Sequence, residues 1–294
     1  MSGHVCIDLK HLGLEGAIAC YLVNSDEPAL VDPGPTTTLD RLVAELALLG
    51  VGEADLRHVL LTHVHLDHAG ATGHLVERFP NATVHVHADA ASHMVDPERL
   101  VASTRRTFGE LHDRLWGEVK PVPAGRIRAV RPEESGSSAG LRPLPTPGHI
   151  AHHLAFLDER DGTLFSGDSM GIALDGGPQH PPTPPPGVNL PAWARTLERI
   201  GEVGPQRFGA THFGFHVDVE ARRLQLAERL EALEARVRRA VEAGDERADA
   251  ERFEREVRAE LAPFMGEARV NRYFDLFPAA TDWAGVHFYV TRNP

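Results

Sequence analysis

Thr62-His63-Val64-His65-Leu66-Asp67-His68-Ala69-Gly70 sets four metal-capable side chains within six residues. A single such histidine would be an ordinary polar loop residue. Three imidazoles and a carboxylate in so short a segment cannot all turn onto one ion. They can divide between two, His63 and His65 toward one and Asp67 and His68 toward its neighbour. Two ions a few ångströms apart can hold a hydroxide between them, an arrangement that hydrolyses acyl or phosphoryl bonds.

Three later segments supply what a two-metal site would still need. Pro145-Thr146-Pro147-Gly148-His149 puts a histidine on a glycine turn after a strand-like run. Leu164-Phe165-Ser166-Gly167-Asp168 ends an apolar strand with a carboxylate, and Arg207-Phe208-Gly209-Ala210-Thr211-His212 ends another with a histidine. Open α/β sheets gather ligands at one end of their strands, where the loops converge. Imidazole and carboxylate ligands suit zinc, and also iron or manganese.

His63-Val64-His65-Leu66-Asp67-His68, Pro147-Gly148-His149, Gly167-Asp168 and Thr211-His212 resemble, in this order, the successive motifs of the metallo-β-lactamase superfamily. Val31-Asp32-Pro33-Gly34 resembles its early strand-turn motif, and the likeness runs through about residues 15 to 216. The resemblance implies an αββα sandwich with a dinuclear site at one edge. It implies two divalent ions, zinc expected, with His63, His65 and His149 on the first and Asp67, His68 and His212 on the second. Asp168 would bridge them, Asp67 would also help orient the nucleophile, and Asp32 would orient a ligand from behind.

The remaining sequence fits this frame. The 294 residues allow one large α/β domain with a smaller accessory piece, and 42% hydrophobic content allows a sizeable core. We expect a catalytic domain over residues 1–216 and an all-helical extension over 217–294 that covers the active site. Thr38 to Leu49 and Leu190 to Ile200 read as helices, the second capped by Asn189. Residues 89 to 116 read as mostly helical. Ser135 to Ser138 reads as a turn, and Pro181 to Pro186 as a stiff connector or a wall of the site. After His216, Leu226, Leu230, Leu233, Val237 and Val241 form a helical stripe, which packs on its own chain or on a second copy. Asp245 or Asp249 can cap the next helix, and Tyr289 and His287 are candidates to reach the pocket from above.

A net charge of -12 argues against nucleic acid as a partner, since cationic surface drives that binding. Cys6 and Cys20 are too few for a disulfide framework or a cysteine zinc cage. No secretory leader or membrane span is read, so a cytoplasmic protein acting on a small molecule is expected. Within the superfamily the complete ligand set resembles glyoxalase II-type thioesterases and lactonases. The trailing helices resemble those of a quinolone-signal thioesterase and of the β-lactamase-like-protein-2 hydrolases. The expected reaction is hydrolysis of a thioester or lactone. The alternatives are an endoribonuclease or phosphodiesterase, a mononuclear iron persulfide dioxygenase, and a non-catalytic binding protein on the same scaffold.

Overall fold

A computed structural model describes residues 3–23, 27–132 and 136–293. Eleven strands form two sheets among these residues. The first sheet runs β1 (Val5–Asp8), β2 (Ala19–Val23), β3 (Ala29–Val31), β4 (His58–Leu60), β5 (Thr83–His87) and β6 (Ile127–Val130), in that spatial order. β1, β2 and β3 are antiparallel; β3 through β6 are parallel. Parallel neighbours need crossovers. These are α1 (Leu39–Leu48), then α2 (Leu66–Ala69) with α3 (Thr72–Arg78), then α4 (Ala91–Val95), α5 (Glu98–Phe108) and α6 (His112–Trp116). Residues 89 to 116 are thus mostly helical, in three short pieces.

The second sheet is ordered β11 (Gly214–His216), β10 (Arg207–Ala210), β9 (Thr163–Gly167), β8 (Leu154–Asp158) and β7 (Arg142–Pro145). Only β9 and β10 are parallel in it, joined by α7 (Leu190–Val203). Asn189 Oδ1 accepts the Ala192 N–H at 3.0 Å, so the asparagine caps α7 as its sequence indicates. Of the turn read at Ser135 to Ser138, Ser135 lies outside the described residues and Ser138 pairs with Leu141.

Alternation along the strands builds the layers. In β2, Ala19, Tyr21 and Val23 face Phe156 and Phe165 of the second sheet, while Cys20 and Leu22 join the core under α1 and α3. The outer face of the second sheet, with Leu164 and Phe208, packs under Trp193 and Leu197 of α7. Helix, sheet, sheet and helix give the αββα sandwich, and Cys6 and Cys20 are free thiols.

Four helices follow: α8 (Val219–Ala243), α9 (Glu246–Met265), α10 (Glu267–Leu276) and α11 (Ala279–Arg292). Leu226, Leu230, Leu233 and Val237 of α8 are buried in the core of the second sheet, so this stripe packs on its own chain. Val257, Leu261, Val270 and Phe274, from α9 and α10, join the core of the first sheet. Asp249 does not cap α9. Its carboxylate accepts Arg236 of α8 at 2.8 and 2.9 Å and the Trp283 indole of α11 at 2.9 Å, tying three helices together. No helix among the described residues is long and apolar enough to cross a membrane.

Candidate active site

β3, β4, β7, β9 and β10 all end at the same edge, and the loops that follow them carry Asp32, His63, His149, Asp168 and His212. Two backbone bonds hold the sheets together there, Leu154 N–H to the Thr62 carbonyl and Ala19 N–H to the Thr211 carbonyl, both 2.8 Å. His65 ends the loop after β4, and Asp67 and His68 lie in the short helix α2 that it opens. All seven candidate ligands meet at one focus. Ligand atoms of His63, His65 and His149 form one group, those of Asp67, His68 and His212 a second, each within 4.8 Å of one another. Asp168 stands between them, its Oδ2 3.4 Å from His149 Nε2 and its Oδ1 3.4 Å from His68 Nε2 and 3.7 Å from His212 Nε2.

The hydrogen bonds behind the cluster decide which nitrogens face inward. Nδ1–H of His68 donates to Asp32 at 2.8 Å, that of His149 to the Pro182 carbonyl at 2.7 Å, and that of His212 to the Ala17 carbonyl at 2.8 Å. Thr62 Oγ1 donates to Asp32 at 2.7 Å and accepts His63 Nδ1–H at 3.1 Å. A neutral imidazole has one N–H, so each Nε2 presents a bare lone pair to the centre. His65 Nδ1 lies 2.9 Å from His63 Nε2 and 2.8 Å from His149 Nε2, and one proton cannot serve both contacts. His68 Nε2 and Asp168 Oδ1 are buried without a hydrogen-bond partner. Converging lone pairs and orphaned polar atoms fit divalent cations, one at each group.

Asp32 anchors this arrangement from a fully buried position with φ 52°. Besides His68 and Thr62 Oγ1 it accepts the Thr62 N–H at 2.9 Å and Thr211 Oγ1 at 2.9 Å. Gly167, at φ 52°, must be glycine because a Cβ would strike Thr62 and His153. The two halves differ electrostatically. Burial, and then the neighbouring His68, holds His63 well below the usual imidazole range; burial and then His149 push His65 down to about 3. Burial opposes charge on His68 and His212 too, but Asp168 and Asp67 outweigh it and both are raised, so this half attracts a positive charge that either a proton or a metal cation at Nε2 can supply.

His153 belongs to the site although no motif marks it. Its Nε2 accepts the Asp168 N–H at 3.1 Å, its Nδ1–H donates to Thr146 at 2.7 Å, and its ring stacks on His63. A cavity of about 310 Å³ opens over the cluster, reached by His65, Asp67, Asp168 and His212. α5, Trp116, the prolines of 182–186 and α10 wall it, so the proline-rich segment is a wall of the cavity. Tyr273 and Phe274 of α10 and Asp282 of α11 line it from the last helices, and the Tyr273 phenol has no hydrogen-bond partner among the described residues. His287 and Tyr289, the candidates from the sequence, do not line the cavity. His287 stacks on Trp283 and Tyr289 packs on the core of the second sheet, because α11 turns that face toward α8.

Asp282, at the start of α11, secures the cavity wall. Its carboxylate accepts the Thr183 N–H at 2.7 Å and His180 Nε2–H at 2.8 Å. Thr183 Oγ1 donates to the Asp282 carbonyl at 2.8 Å, and Gly285 lies so close to Thr183 that a Cβ would overlap its carbonyl. The adjoining Pro182 carbonyl is the acceptor that fixes His149.

Comparison with known proteins agrees with this geometry. YobT of Bacillus subtilis, an uncharacterized protein, is 31% identical over 173 residues, 54% of this chain and 66% of YobT. The probable metallo-hydrolase MJ0888 of Methanocaldococcus jannaschii is 27% identical over 150 residues, 51% of this chain and 66% of its own. The chain thus spans just under two thirds of these curated relatives. Shorter matches include the thioesterase pkgB of Emericella nidulans, 29% identical over 40% of this chain and 25% of pkgB. Hydroxyacylglutathione hydrolase of Legionella pneumophila matches at 24% over 48% of this chain and 41% of its own. Among solved structures, the metallo-beta-lactamase family protein TTHA1429 of Thermus thermophilus superposes with a TM-score of 0.66 at 24% identity, over 100% of this chain and 94% of that one. TTHA1623, solved in a di-iron-bound form, superposes with a TM-score of 0.54 at 25% identity, over 75% of this chain and 97% of that one. The family model described as metallo-beta-lactamase superfamily matches residues 13–232, and the chain belongs to that superfamily of metal-dependent hydrolases.

Proposed function

We propose that this protein is a dinuclear metal-dependent hydrolase of an ester-type bond, a thioester or a lactone, in a small molecule. The observation that carries the reading is the focus itself: inward lone pairs fixed by outward N–H bonds, with Asp168 between two three-ligand groups. His63, His65 and His149 would hold the first ion, Asp67, His68 and His212 the second, and Asp168 both. Such ions lower the pKa of a water and stabilise negative charge developing on a carbonyl oxygen. The ligand types suit zinc, and the di-iron form of TTHA1623 makes iron the other candidate.

The chain's own residues would do the rest. Asp67, the more exposed of the two cluster carboxylates, lines the cavity and would orient water and take its proton there. Asp32 and the Pro182 carbonyl keep the imidazoles of His68 and His149 in their binding tautomers. In the reaction the water oxygen bonds to the acyl carbon, the C–S or C–O bond breaks, and the proton passes to the leaving sulfur or oxygen. The pkgB thioesterase and the hydroxyacylglutathione hydrolase favour a thioester among these. We further propose that residues 1–216 act as the catalytic domain and 217–294 as its cover.

The test is metal analysis of the purified protein with a panel of thioesters, lactones, phosphodiesters and short RNA. Two metal equivalents with thioester or lactone turnover are expected. Turnover confined to phosphodiesters would replace the reading with a nuclease, and a single iron with oxygen uptake on glutathione persulfide would replace it with a dioxygenase.

A further inference from the structure

The cavity over the cluster has one polar end and apolar walls. At the inner end stand the candidate ligands and the Tyr273 phenol. The walls are mainly Leu100 and Phe108 of α5, Trp116, Phe274 and Phe277 at α10, and Pro184 of the proline-rich loop, with Ser103 and Thr107 of α5 and His93 and His152 interspersed. Trp116 joins the two sides, its ring 5.3 Å from Phe108 and 6.0 Å from Phe277. α5 has no fully buried residue, and Leu100, Phe108 and Phe277 are only half-buried, so apolar surface faces the cavity uncovered. An apolar guest would bury it.

Charge around the cavity is as informative. Among the described lining residues the one guanidinium or ammonium is that of Arg99, which is exposed on α5. The carboxylates are the two of the cluster and Asp282, which His180 and Thr183 already hold. A single exposed guanidinium offers one point of contact rather than the paired cations that hold a dicarboxylate or a phosphate, and 310 Å³ holds roughly ten to fifteen non-hydrogen atoms.

We infer that the group bound against these walls is a compact, uncharged, apolar acyl group, placed so that its carbonyl reaches the cluster. This rests on the hydrolase reading above. A glutathione moiety, with two carboxylates and an ammonium, finds no matching set of charges in this cavity.

The test uses the metal-loaded protein and thioesters of N-acetylcysteamine that differ only in the acyl group: acetyl, lactoyl, hexanoyl, phenylacetyl, dodecanoyl and hexadecanoyl. Each buried methylene is worth about fourfold, so hexanoyl should exceed acetyl in kcat/KM by roughly two- to three-hundredfold, phenylacetyl should do as well, and hexadecanoyl, too long for the cavity, should gain nothing over dodecanoyl. Leu100→Gln, on a half-exposed helix, should compress the hexanoyl-to-acetyl ratio about tenfold at unchanged metal content. A flat profile, a preference for lactoyl, or a rise that continues from dodecanoyl to hexadecanoyl overturns the inference while hydrolysis stands. If no thioester is turned over by protein holding two metal equivalents, the thioesterase reading fails instead. Calorimetric titration with hexanoate and with lactate then decides the cavity: hexanoate binding at least tenfold tighter supports it, and equal binding overturns it.

Discussion

Residues up to His216 carry all seven candidate ligands at one edge of the two sheets, with the imidazoles of His63, His68, His149 and His212 each held by a partner behind it. Residues 219–292 carry none of the seven, yet they supply one wall of the cavity and the carboxylate that secures another. In the first region the residue types are dictated by chemistry, because only imidazole and carboxylate can do the work. In the second they are dictated by shape, and a phenylalanine that lines a cavity looks the same in sequence as one that fills a core. On the proposed function, bond breaking belongs to the sandwich, and the choice of bond to the C-terminal helices together with α5 and Trp116.

The largest expected effect lies in the sandwich. Asp168→Asn should remove one of two metal equivalents and lower kcat at least about a hundredfold, read by metal analysis and thioester turnover. Unchanged activity would show that the bridge is misassigned. Asp32→Asn should weaken metal affinity or activity by roughly ten- to a hundredfold, because an amide facing His68 Nδ1–H cannot replace the carboxylate. Crossing to the helices, Tyr273→Phe should leave metal content intact and lower kcat by about tenfold. A loss as large as that of Asp168→Asn would break the division, making the extension part of the machinery. Asp282→Asn should cost a few-fold in metal affinity, since it acts on His149 only through Thr183 and Pro182.

The smallest effect is on stability and belongs to the scaffold alone. Burial, then neighbouring His58 and Arg128, pushes His85 down to about 3, so the folded chain keeps it neutral while the unfolded chain protonates it near 6.5. Its neutral form therefore supports folding fully above pH 6.5, and that support is lost as the pH falls from there toward 3. At pH 5 the loss is about 2 kcal/mol, and His85→Gln should flatten it in denaturant unfolding followed from pH 7 to 5. An unaltered pH slope would show that the acid sensitivity lies elsewhere.

The same contrast explains what the sequence discloses. His63 through His212 are legible because ligand spacing survives without knowledge of the fold, and Asp32 because an Asp-Pro-Gly turn after a strand is distinctive. α7 is legible from its asparagine cap and first-turn proline. His153 is not, since its role depends on β8 carrying it behind His63 rather than on any neighbour in sequence. Tyr273 sits in an apolar stripe that is equally consistent with the core. Tyr289 and His287 attract attention by residue type, and only the direction in which α11 crosses α8 shows that they face away from the cavity.

The bond from His149 to the Pro182 carbonyl gives this arrangement an order in time. That carbonyl is steadied by Asp282, which is synthesised more than a hundred residues after His149 itself. A nascent chain that has emerged only through His216 already carries every candidate ligand, but the loop beside His149 still lacks its clasp. The carbonyl that orients His149 is clasped only when α11 docks, so the first group of candidate ligands reaches its final geometry after the last helix is in place.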